Sequence, residues 1–212
     1  MSADILSAKA DVLVIGAGIY GCAAAYFLAK FGIETLVIDA EDIGAGASGA
    51  NAGNLHLQLS PSTHPNKDRE WVQQYAGVLP FFLESIALWK KLGKELPHDL
   101  EMRFPGGLMI AENDAQIGLL REKVLLEKAH GLGTQLLGRS ELRDLAPYLC
   151  EHAIGASHCP GEGMANPLAA VIALAEAARA MGARFQQQAE VEGIESERGS
   201  WRVQTSRGSI CC

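Results

Sequence analysis

The sequence lacks long apolar runs and dense basic segments. Its longest purely apolar runs, such as residues 168–175, contain eight residues, whereas a membrane-spanning helix needs about 20. Acidic residues outnumber basic ones by 25 to 18, which gives a net charge of -7. Binding to a phosphate backbone requires clustered positive charge. We therefore expect no transmembrane segment and no nucleic-acid partner, and we expect a small-molecule substrate.

Cysteine is scarce, and its count is odd. The chain has 5 cysteines in 212 residues. This number is odd and too low for a disulfide scaffold, so the sequence favours free thiols in a reducing compartment. The N-terminus also lacks a basic segment followed by an apolar block, so it does not have the pattern of a secretory signal. Together these features predict a cytoplasmic protein.

What the sequence does contain is an early strand–helix–strand pattern. Residues 11–15 and 34–38 are β-branched apolar runs, the pattern of strands buried on both faces of a parallel sheet. Between them, residues 19–31 have the Ala-rich spacing of a helix that ends at Gly32. A third strand is predicted over 184–188, after an Ala-rich helix that begins with Asn166 as its cap and Pro167 as its first residue.

The turn after the first strand carries the clearest chemical signal. It reads Gly16-Ala17-Gly18-Ile19-Tyr20-Gly21, and Asp39 follows the second strand, 23 residues after the first glycine. In this pattern the glycines allow a tight turn, a close approach of the backbone to a pyrophosphate and close packing of the helix, while the acid accepts the ribose hydroxyls. An acid at this position disfavours a 2′-phosphate and therefore NADP, but the motif alone leaves FAD and NAD open.

Residues 11–55 resemble the N-terminus of the FAD-dependent amine and amino-acid oxidoreductases of the D-amino-acid oxidase superfamily. The continuation GASGANAGNLHLQLSP is similar to the bacterial branch with the opine oxidase B subunits and the hydrogen cyanide synthase C subunit; glycine oxidase and the sarcosine oxidase β subunit belong to the same superfamily. Looser matches follow in order at FPGGLMIA, at GMANP and at Val191. The resemblance implies FAD as the cofactor.

The resemblance also implies which residues bind the cofactor. Gly16, Gly18 and Gly21 would hold the pyrophosphate, with Asp39 at the adenosine ribose and Val191 at the adenine. The remaining expected contacts lie in the first helical turn, after the second strand, beside the phosphates and along the ribityl chain and flavin ring. They are Ile19, Tyr20, Ala40, Ala47, Ser48, Asn51, Ala52, Gly53, Asn54 and Leu55.

The implied fold class is α/β, with a Rossmann-like FAD-binding domain and an inserted α+β substrate domain. We predict residues 1–70 and 146–212 in the FAD-binding domain and residues 71–145 in part of the substrate domain. Because relatives continue beyond this pattern, we also expect both domains to be incomplete and the 212 residues to have little turnover by themselves.

The predicted function is oxidation of a small amine or amino acid, in which a hydride moves from the carbon next to the amine to the flavin and an imine forms. One alternative is a non-catalytic FAD-binding subunit of a hetero-oligomeric oxidase, and a weaker one is an NAD-dependent dehydrogenase. A homo-oligomer or a hetero-oligomer is left open. Arg103 and Arg139 lie in the broad part of the sequence where a residue that binds a substrate carboxylate is expected, but neither belongs to a recognisable motif. The catalytic residues therefore stay unknown.

Three other features have simpler interpretations. Cys150, His152, His158 and Cys159 suggest zinc, but neighbours on a strand point to opposite faces, so a metal site is not predicted. His56 directly follows the expected flavin contacts, which end at Leu55. It is either a polar residue that faces the ring or, more simply, a surface or hydrogen-bonded structural histidine. The charged residues of the helix over 115–129 predict a solvated face; they are Glu122, Lys123, Glu127 and Lys128.

Overall fold

The computed structural model describes residues 8–60, 69–197 and 199–212. Within these ranges the strands and helices alternate along much of the chain. The strands are β1 (Ala8–Lys9), β2 (Val12–Ile15), β3 (Thr35–Ile38), β4 (Asn54–Leu55), β5 (Gly107–Ala111), β6 (Gln135–Gly138), β7 (Gly155–Cys159), β8 (Gly163–Met164), β9 (Arg184–Gln186), β10 (Val191–Glu197), β11 (Ser200–Thr205) and β12 (Gly208–Cys211). The helices are α1 (Ile19–Lys30), α2 (Arg69–Ala76), α3 (Leu79–Glu95), α4 (Asp114–Ala129), α5 (Arg139–Leu145) and α6 (Pro167–Ala180).

The chain divides into two compact units. Unit 1 contains the residues up to Gly53, Glu95–Glu101 and Asn166–Cys212, and unit 2 contains Asn54–Lys94 and Met102–Ala165. Unit 1 is therefore discontinuous along the sequence.

A parallel sheet in the order β2-β3-β9 forms the centre of unit 1. Strand β3 is buried along its whole length, as its β-branched sequence predicts. Helix α1 connects β2 to β3 and packs against α6, and Ala25 of α1 and Ala178 of α6 are both fully buried. The predicted strand–helix–strand unit and its third parallel strand are confirmed.

A second sheet in unit 1 has the order β1-β12-β11-β10. Strands β10, β11 and β12 form an antiparallel meander, and β1 pairs with β12 in parallel. Its inner face contributes Val203 and Ile210 to a core that also contains Leu36 and Ile38 of β3. The two sheets of unit 1 thus share one apolar cluster.

Unit 2 contains an antiparallel sheet in the order β5-β7-β6 and a short antiparallel pair of β4 and β8. Helix α4 packs against all three strands of this sheet. The main apolar cluster of unit 2 combines Leu57 and Leu59 with residues of α2, α3 and α4, such as Leu79 and Leu126.

The boundaries of the two units differ from the predicted division at residues 70 and 146. Residues 146–165 lie in unit 2 because β7 is the central strand between β5 and β6. Residues 54–60 lie there as well, because Asn54 pairs with Met164 and Leu55 pairs with Gly163. Glu95–Glu101 lies in unit 1, where the N–H of Asn166 donates to the carbonyl of Leu100 at 2.9 Å. These pairings join residues far apart in sequence, so local patterns do not reveal them.

None of the helices within the described ranges has both the length and the apolar character needed to cross a membrane.

Candidate functional site

The glycine-rich turn lies between β2 and α1, where the sequence predicts it. Gly16 has a φ of 105°, a left-handed conformation that favours glycine. Its N–H donates to the carbonyl of Ile38 at 2.7 Å, which holds the turn at the end of β3. Gly18 is the N-cap of α1 and supplies no side-chain hydrogen bond to the helix. The residue directly before the first backbone N–H groups of α1 therefore has no side chain.

Two glycines of this turn lie too close to their neighbours to carry a side chain without a shift. A Cβ atom on Gly21 would lie 1.8 Å from the carbonyl oxygen of Gly16. A Cβ atom on Gly18 would lie 2.8 Å from Oγ of Ser48. The contact at Gly21 is with backbone, and the contact at Gly18 is with a side chain. Glycine is therefore required more strictly at position 21 than at position 18.

Asp39 follows β3 and is fixed against the turn. Its Oδ2 accepts a hydrogen bond from the N–H of Ala17 at 2.6 Å, and its Oδ1 accepts one from the N–H of Glu41 at 2.8 Å. Each carboxylate oxygen can accept more than one hydrogen bond. The carboxylate thus has a defined position and retains acceptor capacity for the hydroxyls of a ligand.

The segment after Asp39 folds back onto the same turn. The N–H of Gly44 donates to the carbonyl of Ala17 at 3.1 Å, and Oγ of Ser48 accepts from the N–H of Ile19 at 2.9 Å. Asn51 donates to the carbonyls of Ala47 and Ser48 and accepts from the N–H of Gly53. Ser48 therefore supplies the side-chain acceptor at the start of α1 that Gly18 lacks.

Unit 1 brings together most of the residues predicted to bind a cofactor. Tyr20, in the first turn of α1, has 91 % of its surface exposed. Val191 begins β10 and packs against the apolar cluster of unit 1. The other predicted residues of unit 1 lie in the glycine turn, in α1 or in the segment after β3; they are Gly16, Gly18, Ile19, Gly21, Asp39, Ala40, Ala47, Ser48, Asn51, Ala52 and Gly53.

Asn54 and Leu55 lie in unit 2, where they form β4. Together with His56, they line an open groove of about 210 Å³ whose other wall is the Phe82, Ser85, Ile86 and Trp89 face of α3. The His56 side chain is 68 % exposed, and its Nδ1 lies 3.6 Å from Oε1 of Glu162. His56 is thus largely exposed and has a buried acidic neighbour that the sequence did not indicate. That it faces the flavin ring stays a prediction.

Unit 2 also contains a buried polar network that the sequence patterns did not indicate. Lys123 and Glu127 are 1 % and 0 % exposed, and Nζ of Lys123 lies 2.8 Å from Oε1 of Glu127. Nζ also donates to Oε1 of Gln58 at 2.8 Å and to Oγ of Ser157 at 3.2 Å. Burial lowers the pKa of Lys123, and the hydrogen bond to Glu127 opposes that shift.

The expectation that Lys123 and Glu127 belong to a solvated helix face is therefore wrong. Both share one face of α4 with the buried Leu120 and Val124, at spacings of three, four and seven residues. This spacing is visible in the sequence, and it is the signal that could have predicted the burial of Lys123 and Glu127. Glu122 and Lys128 of the same helix are exposed, as predicted.

The alternative of a metal site gains no support. His158 and Cys159 are adjacent on β7, and burial raises the pKa of the Cys159 thiol, which disfavours the thiolate that a metal needs. Within the described ranges, no group of three or more His, Cys, Asp and Glu residues could hold a metal ion. Of the two arginines considered for a substrate carboxylate, Arg139 donates to the carbonyl of Glu151, and the backbone of Arg103 pairs with Met164.

Comparison with known proteins gives consistent results. The chain is 25 % identical over 205 residues to human mitochondrial dimethylglycine dehydrogenase, covering 95 % of this chain and 22 % of that protein. It is 28 % identical over 191 residues to the opine oxidase B protein of Rhizobium meliloti, one subunit of that oxidase, covering 88 % of this chain and 50 % of the relative. The crystal structure of glycine oxidase from Geobacillus kaustophilus superposes with a TM-score of 0.84 at 27 % identity, over 97 % of this chain and 54 % of that one.

The chain thus spans about half the length, or less, of these relatives. The model of the FAD dependent oxidoreductase family, abbreviated DAO, matches residues 11–212. Since this match extends over nearly the whole sequence, the chain belongs to the FAD dependent oxidoreductase family DAO.

Proposed function

We propose that unit 1 binds the ADP half of FAD at the glycine-rich turn, and that the protein oxidises a small amine or amino acid. The hydrogen bond between Asp39 and Ala17 carries this proposal, because it fixes beside the glycine-rich turn the acid that, in this motif, accepts ribose hydroxyls. The residues are compatible with the cofactor: the missing Cβ of Gly21 lets α1 pack closely against the backbone of Gly16, and the Asp39 carboxylate retains acceptor capacity for ribose hydroxyls.

In this proposal, each part of the site has a separate task. The turn with Gly16, Gly18 and Gly21, together with the N-terminal end of α1, faces the pyrophosphate, whose negative charge the helix dipole favours. Asp39 accepts the ribose hydroxyls, and Val191 contacts the adenine. The remaining contacts are with the phosphates, the ribityl chain and the flavin ring, and they involve Ile19, Tyr20, Ala40, Ala47, Ser48, Asn51, Ala52, Gly53, Asn54 and Leu55.

Bound FAD would supply the acceptor for the hydride that leaves the carbon next to the amine nitrogen; the substrate would become an iminium ion, or an imine where the nitrogen also loses a proton. The protein's own residues bind and orient the cofactor. The names of the relatives support the substrate class, because glycine, sarcosine and dimethylglycine are small amino acids or N-methylated derivatives.

A second candidate is a non-catalytic FAD-binding subunit of a larger oxidase. The relative from Rhizobium meliloti favours it, because that protein is named as a subunit. On this proposal the partner is another protein chain, whereas the first candidate is compatible with a homo-oligomer.

The experiment is a calorimetric titration of the purified chain with FAD, followed by turnover assays with glycine, sarcosine and dimethylglycine and a dye as electron acceptor. Stoichiometric FAD binding with amine consumed in step with dye reduction supports the enzyme. FAD binding without turnover contradicts catalysis by these 212 residues alone, and it is the result expected both for an incomplete enzyme and for the non-catalytic protein. Absence of FAD binding, with NAD binding in its place, contradicts both.

A further inference from the structure

Two buried carboxylates hold the backbone of the segment Leu57, Gln58 and Leu59. Oε1 of Glu162 accepts hydrogen bonds from the N–H groups of Leu57 at 2.6 Å and Gln58 at 2.7 Å. Oε1 of Glu127 accepts one from the N–H of Leu59 at 2.7 Å. Three successive backbone donors of unit 2 are thus satisfied by acidic side chains and not by a neighbouring strand.

Gln58 connects these two carboxylates. Its Nε2 donates to Oε2 of Glu162 at 3.0 Å and to the carbonyl of Gly107 at 3.1 Å. Its Oε1 accepts from Nζ of Lys123 at 2.8 Å and from Oγ of Ser157 at 2.7 Å. The network thus joins two carboxyl groups to one amino group, and its strength depends on every donor being in place.

Burial of a carboxylate is costly unless hydrogen bonds compensate for the lost water. Glu162 is only 4 % exposed, and the three donors from Leu57 and Gln58 provide this compensation. The facing strand also leaves room for it, because a Cβ atom on Gly107 would lie 1.7 Å from Oε2 of Glu162. The carboxylate therefore occupies one defined position.

Glu162 also adjoins the strand that pairs with β4. Gly163, the next residue, pairs with Leu55, and Met164 pairs with Asn54. The main chain after Glu162 thus holds residues 54–55, while its side chain holds Leu57 and Gln58. His56 lies between these two attachments, with Nδ1 3.6 Å from Oε1 of Glu162.

We infer that Glu162 is a positioning residue for the flavin segment, defined as Asn54, Leu55 and His56. This inference rests on the proposed function, in which Asn54 and Leu55 lie beside the flavin ring. Glu162 sets the place of the flavin segment through the backbone of Leu57 and Gln58, and the network with Gln58, Lys123 and Ser157 keeps the carboxylate in place. We expect it to affect binding of the flavin half of the cofactor and not of the ADP half, because the residues proposed to bind ADP belong to unit 1.

The variant Glu162→Gln tests this separation. A glutamine retains one acceptor oxygen but replaces the other by an NH2 group, which would face the Nε2 donor of Gln58. We expect the dissociation constant for FAD to rise about tenfold, equivalent to about 1.4 kcal/mol, while the one for ADP stays within about twofold. The visible absorption band of the bound flavin should also shift, because the ring loses its fixed surroundings. Glu122→Gln, at an exposed acid of α4, is the matched control and should leave both affinities unchanged.

Equal loss of FAD and ADP affinity, or no loss of either, would overturn the role of Glu162. If the wild-type chain does not bind FAD at all, the proposed function itself fails, and this outcome is visible before any variant is compared. Hydrogen exchange on the wild-type protein provides a test that does not depend on the folding of Glu162→Gln. The amides of Leu57 and Gln58 should be as protected without FAD as those of β5 and β7; protection that appears only after FAD is added would contradict a preformed attachment.

Discussion

The carboxylate of Asp39 accepts a 2.6 Å hydrogen bond from the N–H of Ala17, so the end of β3 is joined directly to the glycine-rich turn that follows β2. The N–H of Gly16 strengthens this connection by donating to the carbonyl of Ile38. An acid that interacts with the turn in this way is oriented before any ligand arrives. Such preorganisation lowers the entropy cost of binding.

Replacing Asp39 with alanine should weaken FAD binding. The ribose would lose charge-assisted hydrogen bonds worth about 1.5–3 kcal/mol, which corresponds to about a tenfold to hundredfold rise in the dissociation constant. ADP affinity should fall by the same factor, because the ribose belongs to both ligands. Glu41→Ala, at an exposed acid two residues away, is the control. An unchanged FAD titration for Asp39→Ala would show that the assignment of Asp39 is wrong.

Gly21→Ala and Gly18→Ala should differ sharply in their effects on stability. At Gly21 the new Cβ would meet the backbone of Gly16 at 1.8 Å, so the turn itself must distort, at a cost of about 3 kcal/mol or more. At Gly18 it would meet only the side chain of Ser48, and loss of that hydrogen bond to Ile19 costs about 1 kcal/mol.

Gly118→Ala is a control that should change the stability of the protein in the opposite direction. Gly118 lies within α4, and its Cβ would meet nothing within 4 Å, so alanine should stabilise the protein by up to about 1 kcal/mol. Urea unfolding of Gly21→Ala, Gly18→Ala and Gly118→Ala measures the order of their stabilities. Equal stability of Gly21→Ala and Gly118→Ala would contradict the close contact at Gly21.

Local sequence patterns predicted the part of the fold that local interactions form. The β-branched runs, the left-handed Gly16 and the capping residue Asn166 each act within a few residues; the side chain of Asn166 does accept from the N–H groups of Leu168 and Ala169. The same reasoning located the glycine turn and Asp39, because their spacing reflects one strand–helix–strand unit. These elements were therefore predictable from the sequence alone.

The unit boundaries and the buried network depend on contacts between distant residues. Leu57 and Glu162 are 105 positions apart, and Gln58 and Ser157 are 99 apart. Charged residues are rarely buried without a partner, so a prediction that ignores such partners assigns Lys123 and Glu127 to the surface. Their helical spacing with Leu120 and Val124 indicates the buried face, but the partners appear only in the fold.

Removing the charge of Lys123 should strongly destabilise the protein. Lys123→Met leaves the buried carboxylate of Glu127 without its cation, which costs about 3–5 kcal/mol. Adding Glu127→Gln removes the unpaired charge while keeping an acceptor for the N–H of Leu59, so the double variant should recover about 1–3 kcal/mol. Lys128→Met, at an exposed position of the same helix, should change the free energy of unfolding by less than about 0.5 kcal/mol. Urea unfolding measures the free energy of unfolding of Lys123→Met, Glu127→Gln and the double variant. If the effects of the two single substitutions simply add in the double variant, Lys123 and Glu127 are not coupled.

The thiol of Cys22 should make stability fall at alkaline pH. Burial raises the pKa of Cys22 from its ordinary 9.0 to about 11, and Cys22 is fully buried. The unfolded chain therefore loses this proton at lower pH than the folded protein does, so the contribution is fully present below pH 9.0 and is lost as the pH rises to about 11. Over that range the loss should approach about 3 kcal/mol.

Cys22→Ala isolates this contribution. The variant has a smaller side chain at a buried position, which lowers stability at every pH, so the informative quantity is the slope of the free energy of unfolding against pH and not its level. The slope of Cys22→Ala should be shallower than that of the wild type between pH 9.0 and about 11. Cys150→Ala, which removes an exposed thiol, should keep the wild-type slope. Parallel curves for the wild type and Cys22→Ala would show that the Cys22 thiol ionises equally easily in the folded and unfolded protein.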